Sequence, residues 1–259
     1  MTNVLEFQKN KAPISVITCY DYWSAQIINE TDIDAVLVGD SASAVMHGYE
    51  STVHATIEMM CLHVSAVRKG LTNKFLIADM PFLAHRKGNE YLMNSVDKLM
   101  KCGANGVKIE GANESLDAIK YVVDSRIPVM GHLGFTPQSV NKLGGNKVQG
   151  KEEKKAEGLI EEAIALQEAG CFAIVLELIP AELAKKITEK LNSPTIGIGA
   201  GKYTSGQVLV LHDMLGLNKD FNPKFLKKYL DGYSLIKDAI ENYSHDVKNN
   251  IFPTDKESF

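Results

Sequence analysis

The sequence of 259 residues is poor in cysteine and has no excess of basic residues. Its four cysteines (Cys19, Cys61, Cys102 and Cys171) form no Cys-x-x-Cys pair and no cysteine–histidine cluster. This spacing argues against a disulfide framework and a zinc site, and it favours a reducing compartment. A net charge of −4 and an isoelectric point near 6.0 provide no positive field for nucleic acid.

Long apolar runs are also missing. No stretch approaches the roughly 20 apolar residues that span a membrane. The N-terminal segment Met1–Lys11 is polar and lacks the apolar core of a signal peptide. We therefore expect a cytoplasmic protein whose partners are small molecules, with no nucleic acid and no membrane among them.

Short β-branched apolar runs alternate with amphipathic stretches of helical length. Such runs are typical of parallel strands that helices cover on the outside. The predicted strands are Ile14–Thr18, Ala35–Val38, Phe75–Ala78, Gly106–Ile109, Pro128–Gly131, Phe172–Leu176, Thr195–Ile198 and Val208–Leu211. The predicted helices include Thr56–Lys69, Glu90–Cys102, Ser115–Asp124, Glu152–Ala169 and Ala181–Leu191.

Eight strands that alternate with helices over this length predict a (β/α)₈ TIM barrel. A doubly wound open sheet is the competing arrangement. No linker or repeat divides the chain, so we expect one domain over residues 1–259, with short extensions at both termini. The glycine-rich segment Gly134–Lys151 is predicted to be a long loop after the fifth strand. The polar tail from about Asn242 is predicted to lie outside the repeat.

Polar and charged residues close the second to the sixth strands. In barrel enzymes the chemistry lies at the C-terminal ends of the strands. The residues in question are Asp40, Ser41, Asp79, Lys108, Glu110, His132 and Glu177.

The two-residue period of a strand places Lys108 and Glu110 on the same face. By the same parity Glu177 shares a face with Ala173 and Val175. Charges inside a barrel are costly to desolvate unless they are paired or bind a metal. Carboxylates without nearby cysteine suit Mg²⁺ or Mn²⁺ better than zinc. The set therefore indicates a divalent cation and an anionic substrate such as a 2-oxo acid.

Each residue alone also has a purely structural interpretation. Asp40 and Asp79 follow strands, where aspartate often caps a helix. Lys108 and Glu110 could form a structural ion pair, and His132 could be a hydrogen-bonded core histidine. Their shared location at the strand ends favours the functional interpretation.

Two other signals are weak. The run Gly197–Lys202 is neither a dinucleotide fingerprint nor a Walker A loop, so a nucleotide site there is not expected. Asp21 and Tyr22 lie near the predicted barrel mouth, and Asp21 is interpreted as a helix cap.

Several longer motifs extend over most of the chain. They include VLVGDS, IADMPF, GANGVKIEG, PVMGHLGFTPQSV, LELIPAELAKKIT and TIGIGAGKYTSGQVLVLHD. From about Ile14 to the C-terminus, their order and spacing are similar to those of one known family. Through these motifs the chain resembles the ketopantoate hydroxymethyltransferase family of the phosphoenolpyruvate/pyruvate barrel superfamily.

The resemblance implies transfer of a hydroxymethyl unit from 5,10-methylenetetrahydrofolate to 3-methyl-2-oxobutanoate through a Mg²⁺-stabilised enolate. It implies Mg²⁺ as cofactor and a decamer built as a pentamer of dimers. The implied metal ligands are Asp40, Asp79 and Glu110. The implied substrate contacts are Asp40, Ser41, Asp79 and Lys108. Glu177 corresponds to the proton acceptor, and His132 is expected to contact these groups or to polarise the substrate.

The chain departs from the family pattern directly after VGDS, where it continues with Ala42-Ser43-Ala44. Asp40 and Ser41 are unaffected, and the departure concerns the fit around the substrate's alkyl group or the folate. Two alternatives stay open. One is a Mg²⁺-dependent lyase of the same superfamily that cleaves a C–C bond beside a 2-oxo acid. Such lyases usually carry a catalytic cysteine in a mobile loop, and Gly134–Lys151 contains none. The other is a barrel that binds small molecules without catalysis.

Overall fold

The computed structural model describes residues 3–9, 12–140, 145 and 147–259. Eight parallel strands pair in sequence order, and the eighth closes the barrel on the first. The (β/α)₈ prediction is confirmed, and the alternative of an open sheet is wrong. The strands are β1 Ile14–Thr18, β2 Ala35–Val38, β3 Phe75–Asp79, β4 Gly106–Glu110, β5 Val129–Gly134, β6 Ala173–Glu177, β7 Thr195–Ile198 and β8 Gly206–Leu209.

Helices alternate with the strands along the chain, and further helices precede the first strand and follow the last. In the described residues they are α1 Val4–Lys9, α2 Tyr22–Asn29, α3 Ala42–Val45, α4 Ile57–Gly70, α5 Asn89–Lys101, α6 Leu116–Asp124, α7 Glu153–Glu168, α8 Ala181–Lys190, α9 Leu211–Met214 and α10 Gly232–Lys248. None of these helices is both long enough and apolar enough to cross a membrane.

Aromatic side chains fill the barrel at the N-terminal ends of the strands. Phe7, from α1, is fully buried and lies 6.2 Å from the ring of Phe75 and 5.3 Å from that of Phe172. Because successive strand residues alternate between faces, Ile77 and then Asp79 follow Phe75 on the inward side. The interior therefore changes from apolar at the bottom to charged at the top.

The strand boundaries differ from the predicted ones mainly at β5 and β8. β5 continues to Gly134, so the predicted loop begins inside a strand. β8 begins at Gly206 and ends at Leu209, two residues earlier than predicted. A Cβ on Gly206 would lie 2.3 Å from the carbonyl oxygen of Ile14, so only glycine allows this approach. The hydrophobic pattern of the sequence does not reveal such a contact, and this explains why β8 was predicted two residues too late.

The predicted loop Gly134–Lys151 includes a short 3₁₀ turn at Pro137–Ser139. Residues 141–144 and 146 of this segment lie outside the described residues. Val140 is helical, and the described positions 145 and 147–151 contain no helix or strand.

The tail is more regular than its polar composition suggests. Helix α10 runs through Asn242 to Lys248, because Tyr243 and Val247 continue its apolar spacing. Beyond it, the ring of Phe252 lies 5.8 Å from that of Tyr243. A capping box at Thr254 and Glu257 then orders the last turn.

The chain divides into two compact units, Met1–Leu209 and Val210–Phe259. The first contains all eight strands, and the second contains α9 and α10. That residues 1–259 form a single domain stays a prediction.

Replacement of Gly134 by alanine should destabilise the barrel. Gly134 has a φ of 94°, and an added Cβ would lie 2.1 Å from the carbonyl oxygen of Glu177. We expect the free energy of unfolding to fall by at least about 1–3 kcal/mol. Urea denaturation measures it.

Gly158→Ala is the matched control. Gly158 lies within α7, and beyond the backbone of that helix no atom lies within 4 Å of the place that an added Cβ would take. The free energy of unfolding of that variant should rise by about 0.5–1 kcal/mol. Equal stability of the two variants would contradict the role of the β5–β6 contact.

Candidate active site

Five charged side chains lie side by side at the top of the barrel interior. The strand register explains this, because Asp79 pairs with Lys108 across β3–β4 and Glu110 pairs with His132 across β4–β5. Glu177 ends β6 opposite Gly134. Neighbouring parallel strands therefore bring together residues that are far apart in sequence.

Lys108 is the buried cation of this group. Its Nζ lies 3.1 Å from Asp79 Oδ1 and 3.8 Å from Glu110 Oε1. Burial lowers the pKa of Lys108, but the carboxylates of Asp79, Glu110 and Asp40 outweigh burial and raise it above its ordinary value. The ammonium is therefore charged at neutral pH.

The three buried carboxylates differ in how their surroundings shift their pKa values. Burial raises the pKa of Asp40 well above its ordinary value, and the nearby Asp79 and Glu110 raise it further. Burial also raises the pKa of Asp79, although Lys108 offsets part of the effect. For Glu110, burial is outweighed by His132 and Lys108, so its pKa is lowered. The two aspartates thus lack sufficient positive charge nearby.

His132 joins the buried group to Glu177. Its Nδ1 lies 3.3 Å from Glu110 Oε1, and its Nε2 lies 3.2 Å from Glu177 Oε2. Burial and the ammonium of Lys108 lower the pKa of His132, but the carboxylates of Glu110 and Glu177 outweigh them and raise it to about 9. His132 therefore links Glu177 to the buried group.

Asp40 and Ser41 follow the end of β2 and contribute to the same site. The backbone N–H of Asp40 donates to Asp79 Oδ2 at 3.0 Å. The Ser41 hydroxyl lies 2.7 Å from that of Tyr20. All seven residues predicted from the sequence therefore lie at the same end of the barrel.

Two members of the site were missed by the sequence reasoning. Tyr20 is 1% exposed and contacts Ser41, and it shares the inward parity of Val16 and Thr18 on β1. Gln138 is 8% exposed and donates to Asp40 and Glu110. Strand parity could have identified Tyr20, whereas Gln138 lies in the quoted motif GHLGFTPQS without any periodicity to single it out.

The structure also shows the positions of Asp21 and of the segment after VGDS. Asp21 caps α2, where its side chain accepts a hydrogen bond from the backbone N–H of Ser24. This confirms the cap. Ala42 and Ser43, in the segment that departs from the family pattern, are fully buried in α3. The Ser43 hydroxyl donates to the carbonyl oxygen of Asp40, so it supports the loop that carries Asp40.

The donor set suits a hard divalent cation. Asp79 Oδ1 and Glu110 Oε1 are buried, and neither accepts a hydrogen bond of ordinary geometry from the described residues. Within the same residues, no three His, Cys, Asp or Glu side chains already converge as metal ligands. Mg²⁺ requires only one or two protein carboxylates, because water and substrate complete its octahedron. Asp40, Asp79 and Glu110 therefore supply the type of oxygen donor that such an ion requires.

Removal of the Lys108 ammonium should lower the stability of the protein, because the buried carboxylates lose their neighbouring positive charge. We expect Lys108→Met to lower the free energy of unfolding at pH 7 by about 3–5 kcal/mol, since it leaves buried carboxylates without their cation. The control is Lys101→Met, which removes an exposed ion pair to Asp97 and should cost no more than about 1 kcal/mol. Urea denaturation of both variants measures the difference. A loss for Lys108→Met as small as that of the control would contradict this electrostatic picture.

Known proteins resemble this chain in both sequence and fold. Among solved structures, 2,3-dimethylmalate lyase superposes with a TM-score of 0.64 at 16% identity and covers 100% of this chain and 93% of its own. Phosphonopyruvate hydrolase, solved with oxalate and Mg²⁺, superposes with a TM-score of 0.66 at 10% identity and covers 99% and 93%. At these identities the likeness shows the fold alone.

Sequence comparison is more specific. A family model described as ketopantoate hydroxymethyltransferase matches residues 1–255. The 3-methyl-2-oxobutanoate hydroxymethyltransferase of Francisella tularensis subsp. novicida is 53% identical over 257 residues, which cover 98% of this chain and 97% of that protein. The protein of the same name from Bdellovibrio bacteriovorus is 52% identical over the full length of both chains. The chain therefore belongs to the ketopantoate hydroxymethyltransferase family.

Proposed function

We propose that the protein transfers a hydroxymethyl group from 5,10-methylenetetrahydrofolate to 3-methyl-2-oxobutanoate. The products are 2-dehydropantoate and tetrahydrofolate, in pantothenate biosynthesis. The main support is the placement of Glu177 beside the buried carboxylates. Its side chain is 17% exposed, against 3–5% for Asp79, Lys108, Glu110 and His132. A base at this position can reach a substrate held by the buried group.

Mg²⁺ is the cofactor that we propose for this site, held by Asp40, Asp79 and Glu110. The raised pKa values of Asp40 and Asp79 support this, because a cation would supply the positive charge that they lack. When bound, the ion provides Lewis-acid polarisation of the keto oxygen, which acidifies the neighbouring C3–H bond.

The chain's own residues would carry the remaining steps. Lys108 and the Ser41 hydroxyl would hold the oxygens of the oxo acid, with Ser41 oriented by Tyr20. Glu177 would remove the C3 proton while His132 steadies its carboxylate. The carbanionic C3 would then form a bond to the methylene carbon of the folate as one of its two C–N bonds breaks. Water would replace the second C–N bond by a C–OH bond, and the two folate nitrogens would take up the proton removed from C3 and one proton from water.

The one-carbon donor requires space beside the oxo acid. A cavity of about 260 Å³ opens next to Glu110 and Gln138, and Phe82, His85 and Asn113 line it. This volume is too small for a whole folate, since drug-sized ligands occupy roughly 300–1,000 Å³. We propose that one ring system of the folate occupies it.

We also propose that the protein is a homo-oligomer, a decamer of five dimers by family resemblance. Helix α10 carries a stripe of exposed apolar residues at helical spacing: Tyr233, Ile236, Ile240, Tyr243 and Val247, which are 40–63% exposed. Exposed apolar surface of this kind often marks a protein–protein contact.

A C–C lyase is the weaker alternative. Its support is the fold shared with 2,3-dimethylmalate lyase, at 16% identity. The relatives above 50% identity are named as hydroxymethyltransferases. A fold without sequence similarity does not fix a function, so the transferase is favoured.

Glu177→Gln should abolish deuterium exchange at C3 of 3-methyl-2-oxobutanoate in D₂O with Mg²⁺ present. The amide keeps the shape of the side chain but cannot accept the proton. Proton NMR of the substrate measures the exchange. Glu189→Gln, on the surface of α8, should exchange like the wild type. Exchange retained in Glu177→Gln would assign the base to another residue.

Asp79→Asn should shift the Mg²⁺ dependence of the same exchange to higher concentration, by about 10-fold or more. The isosteric amide removes one negative charge from the proposed ligand set, and 10-fold corresponds to about 1.4 kcal/mol. Asp97→Asn, an exposed aspartate on α5, is the control. An unchanged Mg²⁺ titration for Asp79→Asn would remove Asp79 from the metal site.

A further inference from the structure

Gln138 is the residue through which the segment after β5 contacts the carboxylates of the site. Its backbone N–H donates to Glu110 Oε2 at 3.1 Å. Its side-chain Nε2 donates to Asp40 Oδ2 at 2.8 Å and to the carbonyl oxygen of Met80 at 2.9 Å. One 8%-exposed residue therefore joins the ends of β2, β3 and β4.

The orientation of the Gln138 amide is fixed by these contacts. Nε2 has two hydrogens, and each has an acceptor, Asp40 Oδ2 or Met80 O. With the amide reversed, its oxygen would face two acceptor oxygens and both hydrogen bonds would be lost. The side chain consequently has a single favourable orientation.

Gln138 donates to one oxygen of each of two carboxylates, Asp40 and Glu110. Asp40 Oδ2 and Glu110 Oε2 accept from Gln138. Glu110 Oε1 is buried and accepts no hydrogen bond of ordinary geometry from the described residues. Because both donors, the side-chain amide to Asp40 and the backbone N–H to Glu110, are neutral, they orient the two carboxylates without cancelling their charge. A lysine in this position would instead compete with a cation.

We infer that Gln138 is a positioning residue for the cation site: it holds Asp40 and Glu110 in the orientation in which they bind a divalent metal ion. The inference rests on the proposed function only in that the site binds a metal. Gln138 is not assigned any contact with the substrate. Hydrogen-bond partners of metal ligands typically contribute 10–100-fold to metal affinity.

Gln138→Met tests the side-chain contact with Asp40, because the methionine side chain has a similar length and cannot donate, whereas the backbone N–H that donates to Glu110 is retained. Titration calorimetry of the metal-free protein with Mg²⁺ gives the dissociation constant. We expect it to rise by about 10–100-fold. Gln207→Met is the matched control, since Nε2 of Gln207 also makes two hydrogen bonds, to Gly201 O and Thr204 Oγ1, but is exposed. Its affinity for Mg²⁺ should equal that of the wild type.

Deuterium exchange at C3 separates positioning from general structural damage. If Gln138 acts through the metal ligands, saturating Mg²⁺ should restore exchange in Gln138→Met to near the wild-type rate. An unchanged dissociation constant, or an exchange defect that Mg²⁺ does not restore, would overturn the inference.

Gln138→Asn replaces the methionine variant if that variant does not fold. Its shorter amide cannot span Asp40 and Met80 together, so Mg²⁺ affinity should still fall several-fold, and wild-type affinity would overturn the inference. If the wild type bound Mg²⁺ but exchanged no deuterium, the proposed function would fail while the assignment of Gln138 could still be measured.

Discussion

Three carboxylates, one ammonium and one imidazole share the barrel mouth, and almost none of their surface reaches solvent. Burial disfavours each isolated charge by several kcal/mol, and mutual attraction repays this only where the geometry is good. Lys108 and His132 hold the pKa of Glu110 below its ordinary value. The pKa values of Asp40 and Asp79 stay raised by burial, although Lys108 lies 3.1 Å from Asp79. The imbalance is what a bound divalent cation would correct.

The barrel makes this imbalance possible because its lower half is apolar and closely packed. The rings of Phe7, Phe75 and Phe172 fill the N-terminal end. Strand alternation then places Asp79, Lys108 and His132 on the inward side above that core. The segment after β5 completes the arrangement from above, since Gln138 orients Asp40 and Glu110 through neutral donors. The apolar core at the N-terminal ends of the strands thus stabilises the barrel, and the charged side chains lie at the C-terminal ends.

Strand periodicity was sufficient to predict the barrel and the seven polar residues at its strand ends. It succeeds there because each residue lies on, or directly after, a strand whose inward face is set by parity. Gln138 was missed because it lies beyond β5, where no periodicity applies and only the three-dimensional contact with Asp40 reveals its role. The bounds of β8 were predicted two residues too late, because the close approach of Gly206 to Ile14 leaves no hydrophobic pattern in the sequence. Helix α10 extends into the polar tail because its charged residues conceal the apolar spacing of Tyr243 and Val247.

We propose that the buried carboxylates form a divalent cation site. Crystals soaked with Mn²⁺ and 3-methyl-2-oxobutanoate, and measured for anomalous scattering from manganese, test this proposal. We expect one strong anomalous peak at the barrel mouth, within ligand distance of oxygens of Asp40, Asp79 and Glu110, with the oxo acid beside it. Clear density for the oxo acid without a metal peak, or a peak away from these carboxylates, would contradict it.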